Sequence, residues 1–266
     1  MNRNKAVSRI LIVSYGVVSY AVFVVAFLYA IGFVGDIAVP RSVSHGIAAP
    51  LGQAVAINVA LLAVFAVQHS VMARPAFKRW WTRVIPPAIE RSTYVLLASA
   101  ALLLMYWQWR TVPFAVWDVT SSAGRLAIWT LFWLGWAMVF AATFLINHFD
   151  LFGLRQVYLA WRGQPYTDVP FQVRLLYRLV RHPLLLGFLI AFWAAPTMSG
   201  GRLLFAAVTT GYILVGIQLE ERDLSVTLGK DYQVYRRSVP MLVPRLTARH
   251  PAPADDRRHP VGTDIA

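Results

Sequence analysis

Apolar residues form long stretches of this chain, and charged side chains fall mostly between them. No Asp, Glu, Lys or Arg lies between Arg9 and Asp36, or between Arg125 and Asp150. A helix needs about 20 apolar residues to cross a bilayer. These stretches predict an all-α, polytopic membrane protein with five to six transmembrane helices. The predicted spans are 10–34, 51–73, 92–109, 126–147, 183–199 and 203–219. The last two are joined by a tight turn and form either two spans or one re-entrant hairpin.

Composition supports a membrane protein and excludes several kinds of chemistry. Hydrophobic residues make up 58% of the chain and charged residues 14%, whereas soluble domains carry roughly 25% charged residues. The sequence has no cysteine, which excludes disulfides, thiolate metal sites and a cysteine nucleophile. No metal site is predicted.

The net charge of +13 is distributed in a way that indicates orientation in a membrane. Of the 25 lysines and arginines, 21 lie in the first, third, fifth and last polar segments, and 4 lie in the segments between them. Cytoplasmic loops carry such an excess of positive charge. Both termini are therefore predicted to be cytoplasmic. The basic residues are expected to meet the lipid bilayer and its anionic headgroups, and no nucleic-acid partner is predicted.

The end of the chain differs from the rest. Residues 246–266 are polar, contain several prolines and lack an apolar period, so they are predicted to be a disordered tail. Residues 1–245 are predicted to form a single membrane-embedded domain.

Several ionisable residues share one predicted depth, at the cytoplasmic ends of the spans. Ionisable groups at such positions often mark function, although an interfacial histidine or glutamate is usually just solvated, and topology alone forces part of this convergence. The residues are His69, His148, His182, Glu220 and Glu221.

The motif Arg181-His182-Pro183, followed by Gly187, has the features of an anion site. Proline fits the first turn of a helix, whose free N–H groups and positive dipole favour a carboxylate or phosphate. Arginine adds a cation that binds such groups bidentately. The alternative is a helix cap with a packing glycine.

The adjacent carboxylates of Glu220 and Glu221 close the last span and are followed by Tyr232 and Tyr235. Two neighbouring carboxylates repel unless they are paired, so a cation or a hydroxyl-rich ligand is one prediction. An intramolecular pair with Arg181 or Arg178 is the other. The tyrosines, three residues apart, lie on one helix face and either cover a planar ligand or anchor an amphipathic helix.

These motifs together resemble a known group of membrane enzymes. Arg181-His182-Pro183, Gly187, Glu220-Glu221 with Leu224, Gly229 with Tyr232 and Tyr235, and Val239-Pro240 resemble the C-terminal half of the isoprenylcysteine carboxyl methyltransferase group. The segments 68–74 and 90–94 resemble its NnrU-like branch, and the segments 147–156 and 219–224 resemble the bacterial methanethiol S-methyltransferases. Leu185 stands where the first group usually has tyrosine, which argues against a prenyl-cysteine substrate.

The resemblance implies methylation of methanethiol to dimethyl sulfide by S-adenosylmethionine, in a bacterial inner membrane. It divides the domain into a four-span NnrU-like part, 1–147, and a cofactor-binding part, 148–245, in which a C-terminal helical hairpin forms a cytoplasmic cofactor pocket. Arg181 and the amides after His182 and Pro183 are expected to hold the cofactor carboxylate, with Gly187 permitting close approach. The other roles are carried by Glu220 or Glu221 for the ammonium or ribose, Tyr232 and Tyr235 for the adenine, and His148, or else His69, for the thiol proton.

The sequence leaves two alternatives open. One is methylation of a lipid or prenylcysteine by an enzyme of the same group. The other is a haem-binding NnrU-like protein, in which His69 with His182 or His148 supplies the axial imidazoles. The sequence gives no oligomeric state.

Overall fold

The computed structural model describes residues 3–244, and the predicted disordered tail at 246–266 lies outside them. Five helices in the described part are long and apolar enough to cross a membrane. The polytopic helical fold is thereby confirmed. These long helices are α1 (Arg3–Gly35), α2 (Leu51–Ala73), α4 (Pro87–Gln108), α5 (Ser122–Ile146) and α10 (Gly200–Thr227).

Shorter elements connect the long helices and close the bundle ends. Two strands pair with each other in antiparallel fashion. The strands are β1 (Ala115–Asp118) and β2 (Thr197–Ser199), and the short helices are α3 (Pro75–Trp81), α6 (His148–Leu151), α7 (Leu154–Arg162), α8 (Leu176–Leu179), α9 (Pro183–Trp193) and α11 (Gly229–Ser238).

The segment predicted as the fifth span is only partly helical. Helix α9 has 11 residues, which makes it about 16 Å long, whereas the hydrocarbon core of a bilayer is about 30 Å thick. Pro196 explains the break, because proline disfavours helical backbone at the residue before it and lacks an N–H. The chain continues to β2 in extended form and then turns into α10.

The extended backbone after α9 keeps its polar groups paired, as apolar surroundings require. The indole N–H of Trp117 donates to the carbonyl of Ala195 at 3.0 Å, and the amide of Val119 donates to the carbonyl of Pro196 at 2.9 Å. Strand β2 then pairs with β1. Helix α10 begins at once, with the side chain of Ser199 accepting from the amide of Arg202 at 3.2 Å.

Helices α5 and α9 pack closely because glycines face each other. A Cβ atom on Gly187 would lie 2.7 Å from the carbonyl oxygen of Gly135 and 2.9 Å from the amide of Val139. A Cβ on Gly135 would likewise meet the backbone of Ala191 at 2.7 Å. Gly187 thus serves the packing of α9 on α5, which is the alternative to the cofactor contact predicted for it.

The bundle has an aromatic core and an apolar outer surface. Phe33, Trp109, Phe132 and Trp136 are at most 3% exposed. Many large apolar side chains on the long helices point outward, and Leu126 is 70% exposed. An outward-facing apolar surface is what a lipid-facing bundle requires.

We expect Gly187→Ala to destabilise the protein by about 1–3 kcal/mol, because the new methyl group meets rigid backbone of α5. Gly211→Ala in α10 is the matched control, since nothing lies within 4 Å of the position of its Cβ, and a helical glycine replaced by alanine gains up to about 1 kcal/mol. Thermal unfolding in detergent measures both. Equal melting temperatures for the two variants would contradict the packing role.

Candidate active site

A buried ion pair lies where α9 begins beside the C-terminal part of α10. Arg181 donates from Nε to Oε1 of Glu221 at 2.7 Å, and its Nη2 lies 2.6 Å from the same oxygen. Their side chains are only 9% and 4% exposed. Arg181 also donates from Nη1 to the carbonyls of Arg236 and Val239, at 2.9 and 2.5 Å. Its donors are therefore already directed at groups of the protein.

His182 lies between the two glutamates. Its Nε2 is 3.2 Å from Oε1 of Glu221, and its Nδ1 is 3.5 Å from Oε2 of Glu220. The side chain of Glu220 is 53% exposed, whereas Glu221 is buried and also meets Nε of Arg236 at 3.1 Å. The adjacent carboxylates thus differ: one is held by three cationic or imidazole groups, and the other is open to a ligand.

Tyr232 and Tyr235 on α11 pack beside these charges. Their ring centroids are 6.0 Å apart, and the two residues are 1% and 8% exposed. Tyr235 donates to the carbonyl of Tyr177 at 2.7 Å. The hydroxyl of Tyr232 is buried and has no hydrogen-bond partner within residues 3–244. Burial and the charge of Glu221 raise the pKa of Tyr232 to about 12, so this phenol remains a neutral donor.

The N-terminus of α9 offers a second set of free donors. His182 caps the helix without a side-chain hydrogen bond, and Pro183 occupies the first turn. The amide of Leu186 donates back to the carbonyl of His182 at 3.0 Å. The amides of Leu184 and Leu185 have no partner in the part of the chain that is described, as is usual at a helix start. We call Arg181, His182, Glu220, Glu221, Tyr232, Tyr235 and these amides the mouth cluster.

The segment that follows α11 is hydrogen-bonded to the backbone of the residues just before α9. The amide of Arg181 donates to the carbonyl of Pro240 at 2.9 Å, and the amide of His182 donates to that of Met241 at 3.2 Å. Met241 packs against the main aromatic core. The Val239-Pro240 motif therefore closes the bundle end where α9 starts.

His148 belongs to a different cluster, between α1 and α5. It is 6% exposed, and burial lowers the pKa of its imidazole below the ordinary value of 6.5. Its Nε2 is 2.7 Å from the hydroxyl of Tyr20, and its Nδ1 is 2.8 Å from that of Thr143. The ring stacks on Phe144 with centroids 4.2 Å apart.

His69 forms a third cluster, between α2 and α4. Both of its ring nitrogens lie close to the hydroxyl of Tyr94, at 3.0 and 2.9 Å. Its ring stacks on Phe65. Arg74, the residue that follows α2, pairs with Asp223 of α10 at 2.8 Å. The ionisable residues that were predicted to share one depth therefore lie in three separate clusters.

An apolar cleft of ≈ 470 Å³ lies at the far end of α9, away from the mouth cluster. Its walls contain no ionisable side chain. The cleft therefore suits an apolar occupant and offers no group for acid–base chemistry. It is lined by Trp117, Ile128, Leu131, Ile190, Trp193, Ala194 and Ala195.

Several partners in these clusters were not predicted from the sequence, among them Tyr20 and Arg236. Tyr20 lies in a charge-free run and meets a histidine 128 positions away, so nothing local marks it. Arg236 follows Tyr235 and was one of many basic residues in its segment. Only its position across from Glu221 distinguishes it.

Comparison with known proteins agrees with the motifs. The family model of the NnrU proteins matches residues 57–215, which is more than half of the chain. The chain belongs to the NnrU family. Methanethiol S-methyltransferase of Mycobacterium tuberculosis is 68% identical over 236 residues, 89% of this chain and 97% of that protein. Methanethiol S-methyltransferase 2 of Bradyrhizobium diazoefficiens is 55% identical over 253 residues, 95% of this chain and 96% of that protein.

More distant relatives share less of the chain. Nurim of Mus musculus is 30% identical over 175 residues, 63% of this chain and 66% of that protein. No solved structure matches the chain. The NnrU match ends within α10 before Glu220, whereas the Bradyrhizobium methanethiol S-methyltransferase matches a share of the chain that includes α9, α10 and α11. The mouth cluster is thus spanned by the methyltransferase relatives and only partly by the NnrU match.

We expect Glu221→Gln to destabilise the protein by about 3 kcal/mol, because it leaves the buried Arg181 without its counter-charge. Glu220→Gln is the matched control at the adjacent, exposed position, and we expect a change below about 1 kcal/mol. Thermal unfolding in detergent without ligand measures both. If both variants melt like the parent protein, the ion pair does not hold the bundle end together.

Proposed function

We propose that this chain transfers a methyl group from S-adenosylmethionine to methanethiol and releases dimethyl sulfide and S-adenosylhomocysteine. The observation that carries this proposal is its near-full-length similarity to methanethiol S-methyltransferases, at 68% and 55% identity. The reaction requires a methyl donor. The charge bias of the polar segments supports a bacterial inner-membrane protein with both termini in the cytoplasm.

The mouth cluster fits the polar groups of S-adenosylmethionine. We propose that the free amides of Leu184 and Leu185 bind its carboxylate, since helix N-termini favour anions. The exposed carboxylate of Glu220 suits its ammonium or ribose hydroxyls, and the unpartnered hydroxyl of Tyr232 suits one further acceptor. Arg181 is directed at Glu221 and two carbonyls, so we assign it the role of fixing Glu221. Tyr235 supports the face on which Tyr232 lies.

The sulfonium of the donor supplies an electrophilic methyl carbon when it is bound. The chain then has to align the thiol behind that carbon and exclude water, which are the main contributions a protein makes to such a displacement. The aromatic core beside α9 provides dry surroundings that a small thiol can enter from the bilayer. The thiolate is the nucleophile, so the thiol proton needs an acceptor, and we assign this role to His148.

His69 is the weaker candidate for the base. It lies against Tyr94 and Phe65 on α2 and α4, whereas His148 follows α5, the helix that packs on α9. In the haem alternative, His69, His148 and His182 would supply axial ligands, but each already has polar partners in a separate cluster. No observation on this chain favours the lipid or prenylcysteine alternative over the small thiol.

The direct test is to incubate membranes containing the expressed protein with S-adenosylmethionine and a panel of thiols. We expect dimethyl sulfide from methanethiol in the headspace, with S-adenosylhomocysteine formed in equal amount. Membranes from cells with the empty vector are the control. If neither product exceeds the control with any thiol, the proposed function is wrong.

We expect Tyr232→Phe to weaken ligand binding and Tyr235→Phe to lower stability. The hydroxyl of Tyr232 has no described protein partner, so its loss leaves the stability of the ligand-free protein unchanged or raises it, but weakens S-adenosylhomocysteine binding by about 5- to 10-fold. Tyr235→Phe removes a hydrogen bond to Tyr177 and lowers stability by about 1 kcal/mol without this loss of affinity. Calorimetric titration and thermal unfolding separate these effects. Unchanged affinity in Tyr232→Phe would remove Tyr232 from the binding site.

A further inference from the structure

His148, the proposed base, has no ring nitrogen exposed to a substrate. The residue is 6% exposed. Phe144 stacks on its ring with a centroid distance of 4.2 Å, and Phe152 meets the ring edge-on at 4.8 Å. Both nitrogens already have hydroxyl partners, Tyr20 and Thr143. A thiol therefore reaches this imidazole only through one of these two hydroxyl groups.

The hydrogen bonds determine which nitrogen carries the proton. The hydroxyl of Thr143 has one hydrogen and donates it to the carbonyl of Phe140 at 2.7 Å. Thr143 therefore accepts from His148, and Nδ1 is the protonated nitrogen of the neutral ring. Nε2 is then the acceptor, and it takes its hydrogen bond from the hydroxyl of Tyr20 at 2.7 Å. Only the Tyr20 side of the ring can receive a proton.

The oxygen of Tyr20 is suited to pass a proton on. It donates to His148 and keeps lone pairs for a second donor, and Tyr20 is only half buried. Thr143 cannot act in this way, because its partner nitrogen already holds a hydrogen.

Tyr20 also lies beside the apolar interior that leads to α9. Its ring neighbours Phe23 at a centroid distance of 5.9 Å, Phe23 neighbours Phe27 at 5.8 Å, and Phe27 meets Trp136 of α5 at 5.4 Å. Trp136 in turn contacts Phe188 of α9 at 5.7 Å. This aromatic column connects the ring of Tyr20 to α9, the helix whose N-terminus belongs to the mouth cluster.

The packing of α5 on α9 indicates how deep the Tyr20–His148 pair lies in the bundle. Val139 meets Gly187, and one helical turn is about four residues, so Thr143 lies at the level of Pro183. The Tyr20–His148 pair is therefore level with the start of α9, where the methyl donor is proposed to bind.

We propose that Tyr20 is a catalytic residue that relays the thiol proton to His148, an inference that rests on the proposed function. The S–H proton moves to the oxygen of Tyr20 while the hydroxyl proton of Tyr20 moves to Nε2, so the phenol is regenerated. A sulfur lone pair forms the new bond to the methyl carbon. The electrons of the broken bond stay on the departing thioether sulfur, and His148 later returns its proton to water through the hydroxyl of Tyr20.

The charged groups around His148 are held by partners other than the imidazole. Arg155 meets Asp150 at 3.0 Å across α6 and α7, and Arg91 of α4 donates to the carbonyl of Leu151 at 2.8 Å. Tyr20 is the titratable group that contacts the ring from α1, and α5 contributes none at this end. As the pH falls, kcat/KM is therefore expected to decrease as the imidazole of His148 becomes protonated. The midpoint is expected below the ordinary imidazole pKa of about 6.5.

The test compares Tyr20→Phe with Tyr15→Phe. Tyr15 is on the same helix and hydrogen-bonds Thr93 at 2.9 Å, not His148, so it controls for loss of a hydroxyl from α1. For the parent protein and for Tyr15→Phe we expect kcat/KM for methanethiol to be flat with pH above the imidazole midpoint. For Tyr20→Phe we expect a loss of about 10²-fold or more and a rate that rises tenfold per pH unit, since only preformed thiolate then reacts.

Two further measurements separate a relay from a structural role. A thiol acidic enough to be ionised at neutral pH should react with Tyr20→Phe within a few-fold of the parent rate. His148→Gln should show the same pH slope, and the double variant should lose no more than either single variant, because the two groups act as one unit.

Three outcomes would overturn the relay. They are a flat pH profile in Tyr20→Phe, a loss that is equal for acidic and ordinary thiols in both variants, and additive losses in the double variant. In any of these cases the parent protein still makes dimethyl sulfide, so the proposed function stands. Absence of dimethyl sulfide with the parent protein is the separate failure of that function.

Discussion

The bundle end that holds the mouth cluster depends on one buried ion pair, Arg181 with Glu221. Charges as buried as these are costly unless their hydrogen-bonding groups are also satisfied. Here the guanidinium is held by the carboxylate and by carbonyls of Arg236 and Val239, and the carboxylate also meets His182. The pair therefore joins α9, α10 and α11 at one point. None of these three helix ends can shift without separating the buried charges, so the positions of Glu220, Tyr232 and the α9 amides all depend on this ion pair.

The short length of α9 is the second constraint, and it works together with the first. A helix N-terminus presents free amides only where the helix begins, and Pro183 places that start beside Glu221. The break at Pro196 would leave polar backbone unpaired in the bundle, but Trp117 and Val119 of the β1 region bind the exposed carbonyls. Because these carbonyl groups are paired at the C-terminal end of α9, the helix can be short and still begin at Pro183.

Much of this arrangement could be predicted from the sequence, and the rest depended on distant contacts. Charge-free runs predict the long helices, because burial in lipid leaves a continuous local pattern. The Arg181–Glu221 pair was one of two open alternatives, since a sequence does not show whether a carboxylate meets a ligand or its own chain. Gly187 marked a close approach, but only the structure shows that the approaching group is α5. The partnership of Tyr20 with His148 could not be foreseen, because a tyrosine within an apolar run carries no local sign of a partner 128 positions away.

The separation of the two clusters suits the charges of thiol methylation. A thiolate formed alone in an apolar bundle would be costly, and an imidazolium formed alone would be too. If the proton leaves toward His148 while the sulfur faces the cationic methyl donor, each new charge arises beside a partner: the thiolate beside the sulfonium, and the imidazolium against the face of Phe144, which attracts cations. Transfer of the methyl group then cancels the thiolate and sulfonium charges together. The remaining proton lies on His148 at the start of α6. On this view a neutral side chain at position 20 is a requirement, because a fixed charge beside His148 would disfavour either the imidazolium or the thiolate.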